Sequence, residues 1–166
     1  MMKRAILVTA FLVVTAATAA AQSMVFVVRH AERADGGTAN SMMGNDPDLS
    51  DAGRARAESL AAMLKDAGIT VIFATEYKRT QQTAAPLARA LGISVTTISS
   101  KQTAALLERI KAATGNVLVV GHSNSVPDVV KGLGVATPVT VGDAEYDSLF
   151  VVRPGDRPSV TRLHYK

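Results

Sequence analysis

Met24-Val25-Phe26-Val27-Val28, followed at once by Arg29-His30, decides how the rest of this chain is read. Five apolar residues in a row, three of them Val, predict a strand buried on both faces, which is the pattern of a parallel sheet. The run stops on two residues whose side chains are costly to bury, so its end is a place where chemistry can sit. Two similar runs lie downstream, Val71-Ile72-Phe73 and Val117-Leu118-Val119-Val120, and the second breaks at Gly121-His122-Ser123.

Helical patterns separate these strands. Ser50 can cap a helix reaching about Ala67, with Gly68 as its stop and Ala57, Leu60, Ala61 and Leu64 on one face. A second helix is predicted from about Lys78 to Leu91, ended by Gly92. Pro86 inside it should kink it or mark an internal restart. Ile93 to Thr97 reads as a weaker strand, Thr103 to Ala113 as a helix, and Val126 to Leu133 as another. Tyr146 to Val152 and Ser159 to His164 read as two final strands. The segment from Asp35 to Asp48 is rich in Gly, Asn and Asp and reads as a loop. Strands alternating with helices imply an α/β fold: a three-layer sandwich with a mostly parallel central sheet and helices on both faces.

In such sheets ligands bind at the carboxyl ends of the strands. The first strand ends in Arg29-His30, the second is followed by Arg79, and the third strong strand ends in Gly121-His122-Ser123. Two His and two Arg are therefore expected at one edge. Two guanidinium forks suit a phosphoryl group, because they match its oxygens and neutralise its charge. A neutral imidazole is a competent nucleophile, and cations nearby favour its neutral form.

At these residues the chain resembles the histidine phosphatase superfamily, the phosphoglycerate mutase-like family. Val27-Val28-Arg29-His30-Ala31-Glu32 is similar to its Arg-His-Gly signature, with Ala31 in place of Gly. Small members with an Arg-His-Ala form, including bacterial phosphohistidine phosphatases, look alike. Asp48 to Gly53 resembles the family's Leu-Thr/Ser-x-x-Gly helix start, Ala74 to Ala84 its Lys-Arg-Ala-x-x-Thr-Ala segment, and Val117 to Ser123 the strand ending in Gly-His-Gly or Gly-His-Ser. The four matches come in the family's order. The resemblance implies that His30 is the nucleophile that becomes phosphohistidine. It implies that Arg29 and Arg79 hold the phosphoryl oxygens, with Ser123 beside them, and that His122 donates to the same oxygens. It implies no metal and no cofactor. Many members carry an acidic proton donor after the second Arg, yet Ile93 to Gln102 has no Asp or Glu. Glu32, Glu76 and Asp35 stand as candidates for that role.

The 166 residues carry 18 Lys and Arg against 14 Asp and Glu, and no Cys. Disulfides and Cys-based zinc sites are thereby excluded. The mild positive balance, with aromatics at 4% and no basic run among them, does not argue for a nucleic-acid partner. Met1-Met2-Lys3-Arg4, the uncharged run from Ala5 and the closing Ala19-Ala20-Ala21 form the tripartite pattern of a removable export signal. Residues 1–21 are thus expected to be a signal peptide and residues 22–166 one histidine phosphatase domain, periplasmic or secreted and without a stable membrane anchor. The expected function is hydrolysis of a phosphomonoester or phosphoramidate on a small phosphorylated substrate or a phosphoprotein. Two other readings bear on the same residues. Gly121-His122-Ser123-Asn124-Ser125 between a strand and a helix looks like the nucleophile elbow of an α/β-hydrolase esterase using Ser123, although only His164 lies downstream to complete a triad. A non-catalytic module could also hold a phosphorylated ligand in the same pocket.

Overall fold

The computed structural model of the chain describes residues 23–36 and 46–166. The expected signal peptide, residues 1–21, lies outside the described residues, as does the middle of the loop between Asp35 and Asp48. The elements in chain order are β1 (Val25–Arg29), α1 (Asp51–Leu64), β2 (Ile69–Ala74), α2 (Lys78–Leu91) and β3 (Val95–Thr97). They continue with α3 (Thr103–Ala112), β4 (Asn116–Gly121), α4 (Ser125–Gly132), β5 (Ser148–Arg153) and β6 (Ser159–His164). The fold is α/β, with one six-stranded sheet in the order β3-β2-β4-β1-β5-β6. The β2–β3, β2–β4 and β1–β4 pairs are parallel, and β1–β5 and β5–β6 are antiparallel.

The apolar runs are long because the central strands are covered twice. Val25 and Val27 of β1, with Val117 and Val119 of β4, pack against Leu106 and Ile110 of α3 and Val126, Val129 and Val130 of α4. Val28, Leu118 and Val120 point the other way, onto Leu60 and Leu64 of α1 and Ala84 and Leu87 of α2. Alternate residues of one strand thus feed two cores, giving the three layers.

The helix ends follow their caps. Ser50 accepts from the Gly53 N–H at 3.0 Å and starts α1. α1 stops at Leu64, three residues before the expected end; Lys65 to Ala67 form a turn, and Gly68 follows at φ 64°. Gly92 caps α2 in the left-handed conformation, where a Cβ would be strained. Pro86 neither stops nor restarts α2, which runs unbroken from Lys78 to Leu91. The proline is buried among the apolar residues of that helix, and this packing carries it past the one intrahelical bond that Pro cannot make.

Candidate active site

Register brings the reactive residues together. Arg29 is level with Gly121, and Ala74 with Val120, so β1, β2 and β4 end on one line. The residues that follow, His30, Thr75 and His122, leave the sheet side by side. The His30 N–H donates to the Gly121 carbonyl at 2.9 Å, which ties the end of β1 to the end of β4. Arg79 joins them from the first turn of α2. A cleft of about 380 Å³ opens over this edge, bordered by Arg29, His30, Arg79, His122, Ser123 and Asp143 among others.

His30 is buried, at 4% exposure, so its ring is fixed by its surroundings. Its Nδ1 lies 2.7 Å from the carbonyl of Ala31, which can only accept. Nδ1 therefore carries the hydrogen in the neutral ring, and Nε2 keeps the lone pair. The two imidazoles stand edge to face, with centroids 5.4 Å apart.

His122 is held from behind. Its Nε2 lies 2.9 Å from Thr75 Oγ1, which lies 2.9 Å from Thr80 Oγ1. Thr80 in turn donates to the carbonyls of Tyr77 at 2.7 Å and Thr75 at 3.0 Å. Carbonyls cannot donate, so the single Thr80 hydrogen is used there and Thr80 accepts from Thr75. Thr75 then accepts from His122, and the chain of hydroxyls places the His122 hydrogen on Nε2.

The arginines are partly committed. Arg29 Nη1 donates to the carbonyls of Gly142 at 2.8 Å, Asp143 at 2.7 Å and Glu145 at 3.2 Å, and its guanidinium lies 4.1 Å from the Tyr146 ring centre. Arg79 stacks on Tyr77 at 4.2 Å and reaches Asp46 at 3.4 Å. Yet the Nε of each is buried with no partner among the described residues. Both arginines line the cleft, and guanidinium groups there suit an anion.

The cations and burial act on the histidines together. Burial lowers the His30 pKa; the bond to Ala31 opposes this, and His122, Arg79 and Arg29 lower it further, to about 3. Burial and Arg79 lower His122 to about 4 despite the opposing charge of Glu76. Both rings are neutral at pH 7, the form in which His30 Nε2 can attack phosphorus. Burial and Arg33 lower the Arg79 pKa without removing its charge.

The structure brings Arg29, His30, Arg79, His122 and Ser123 to one cleft. It does not bring Glu32 or Glu76 to its lining. Glu32 receives Arg56 with both carboxylate oxygens, at 2.9 Å from Nε and 2.7 Å from Nη2. Burial would raise its pKa, but the hydrogen bonds and charge of Arg56, its own backbone N–H and the charge of Arg29 together hold it below the ordinary range. Glu76 accepts from the Ser100 N–H at 2.7 Å and Oγ at 2.9 Å. Burial would raise its pKa, but its own backbone N–H, the two bonds from Ser100 and the His122 charge together lower it. Asp35 pairs with Arg33 at 2.5 Å. Among the described residues, no group of three His or carboxylates could hold a metal ion.

The esterase triad is not assembled. His164 ends β6 beside Asp147, at 3.1 Å, and β6 is three strands from β4. At roughly 4.8 Å per strand that is about 14 Å from the end that carries Ser123. Thr75, Tyr77, Lys101 and Asp143 were not singled out by the sequence. Thr75 could have been, as the residue that directly follows a buried strand.

Residues 25–102 match the family model described as histidine phosphatase superfamily (branch 1). No curated protein matches the sequence. Among solved structures, the chain is similar to mycobacterial glucosyl-3-phosphoglycerate phosphatase in complex with VO3, at 16% identity and a TM-score of 0.67, covering 87% of this chain and 100% of that one. It is similar to the protein histidine phosphatase SixA complexed with tungstate, at 17% identity and TM-score 0.63, covering 85% and 96%. A phosphohistidine phosphatase candidate from Agrobacterium tumefaciens matches at 21% identity and TM-score 0.60, covering 86% and 98%. At these identities the likeness to solved structures establishes the fold. Over residues 25–102 the chain matches the histidine phosphatase superfamily, and its four motifs, in the family's order, resemble those of that superfamily.

Proposed function

We propose that this chain is an exported phosphatase that hydrolyses a phosphomonoester or phosphoramidate through phosphohistidine at His30. One observation carries the reading: a buried, neutral His30 whose Nδ1 is tied to the Ala31 carbonyl, leaving Nε2 for phosphorus, lines the same cleft as Arg29 and Arg79. Arg29 and Arg79 bind the phosphoryl oxygens and balance their charge. His30 Nε2 attacks in line, and the leaving oxygen or nitrogen departs from the opposite side. Water then attacks the phosphohistidine and restores His30. Ser123 and the amino end of α4 add donors on the far side of the anion. His122 Nε2 donates its hydrogen to Thr75, so His122 donates to the phosphoryl group from Nδ1 once that nitrogen takes up a second proton. A bound dianion favours that step by opposing the repulsion from Arg79.

The similar proteins act on a glucosyl phosphoglycerate and on protein phosphohistidine. A small phosphorylated substrate and a phosphoprotein are both within the reach of an open cleft of this size. Residues 22–166 without their leader, screened against a panel of phosphate esters and phosphoramidates, should turn over several of them in excess chelator and be inhibited by vanadate. Phosphate-competitive binding without turnover would identify a binding module instead. Activity lost in chelator and restored by a divalent ion would contradict the mechanism.

A further inference from the structure

Chemistry at this cleft leaves one role unfilled. When the leaving group is an alcohol, its oxygen departs as a poor anion unless a proton reaches it as the P–O bond breaks. The carboxylates that the sequence offers for this task are engaged: Glu32 with Arg56, Glu76 with Ser100, and Asp35 with Arg33. Asp46 is used at the start of α2, where it accepts from the Lys78 N–H at 2.9 Å.

We propose that Asp143 is the proton donor to the leaving group. Among the described residues it is the one acidic residue lining the cleft, and its carboxylate has no hydrogen-bond or ion-pair partner there. Its main chain is fixed beside the phosphoryl site, because Arg29 Nη1 donates to its carbonyl at 2.7 Å and to Gly142 at 2.8 Å. The guanidinium that binds the anion therefore also holds the loop that carries the acid. Glu145 secures the other end of that loop through the Gly142 N–H, Ser148 and Arg162.

The step balances. His30 Nε2 forms a bond to phosphorus, the P–O bond to the alcohol breaks, and its electron pair takes the proton from Asp143. Water then attacks the phosphohistidine and gives a proton to the Asp143 carboxylate. The N–P bond breaks, and its electron pair returns to Nε2. The products are alcohol and inorganic phosphate, with both residues regenerated.

The proposal rests on the phosphatase reading above, and leaving groups separate the two. The Asp143→Asn variant keeps the main-chain carbonyl that Arg29 uses and sits on the exposed surface, so it should fold, as circular dichroism can verify. kcat/KM reports the phosphorylation step and should be measured for wild type and variant on an alkyl ester such as glycerol phosphate and on p-nitrophenyl phosphate. The variant should lose about 100-fold or more on the alkyl ester, the usual scale of general acid help. It should lose less than about 3-fold on the nitrophenyl ester, whose phenolate leaves without a proton. Equal losses on both, or none on the alkyl ester, would overturn the assignment of Asp143 alone. A wild-type chain that turns over phosphoramidates but no ester would overturn this assignment alone, and one inert toward both classes would overturn the phosphatase reading with it.

Discussion

At the scale of single residues, the site stores free energy in two histidines held neutral. A His30 pKa near 3 lies below the 6.5 of an ordinary histidine, so in acid the unfolded chain binds a proton that the folded chain refuses. The unfolded state then holds more protons, and stability falls as pH falls. The contribution is fully present above pH 6.5 and is lost progressively toward pH 3. His122, at about 4, acts in the same direction over a similar window. Between pH 6.5 and pH 4 the loss from His30 alone is on the order of 3 kcal/mol. Urea midpoints measured from pH 7 to pH 5 should fall steeply in wild type and less steeply in His30→Gln. A midpoint independent of pH in this range would show that neither ring is held neutral. The tautomers come from the same neighbours that shift the pKa values: the Ala31 carbonyl for His30, and the Thr75–Thr80 hydroxyls for His122. The sequence could place both histidines at strand ends, but it could not show which nitrogen faces the cleft. That depends on a hydroxyl chain spanning β2 and α2.

At the scale of elements, caps and buried runs were legible because their physics is local. Ser50, Gly92 and the three Val-rich strands all do in the structure what their residue types favour. Of the two outcomes expected of Pro86, the internal restart does not occur, since α2 runs unbroken from Lys78 to Leu91. The start of α1 shows how tightly an element is seated against the site. A Cβ on Gly53 would come within 2.2 Å of the Glu32 carbonyl, two residues beyond His30. Both partners are backbone, so neither can rotate away. Gly53→Ala should destabilise the fold by about 1–3 kcal/mol, the range for overpacking, and should lower activity by moving the strand that carries His30. Thermal unfolding with a parallel assay would check both effects. A variant with an unchanged melting temperature would mean that α1 can slide without cost.

At the scale of the whole molecule, the three-layer arrangement follows from double-faced strands, but one feature was not legible. Apolar pattern reports burial and says nothing of strand direction. β5 runs antiparallel to β1, so its amino end reaches the edge where β1, β2 and β4 finish. The loop before it, Gly142 to Asp147, thereby joins the cleft and supplies the carbonyls that hold Arg29. A rule that looks only at carboxyl ends of strands passes over it, and Asp143 with it. The proposal of export rests on residues 1–21, and it predicts that protein recovered from the native cell begins at or near Gln22. N-terminal sequencing that finds Met1 in a soluble cytoplasmic pool would refute it.

The central claim is that phosphorus is transferred to His30. Only three histidines exist in the chain, and His164 is three strands from β4. Wild type should therefore be mixed briefly with a radiolabelled phosphate ester, quenched in alkali, digested and mapped. The account predicts an acid-labile, base-stable phosphoryl group on Nε2 of His30, absent from His30→Ala, which should fold and lose turnover by many orders of magnitude. A trapped phosphate on any other residue, or near-normal turnover by His30→Ala, would contradict it.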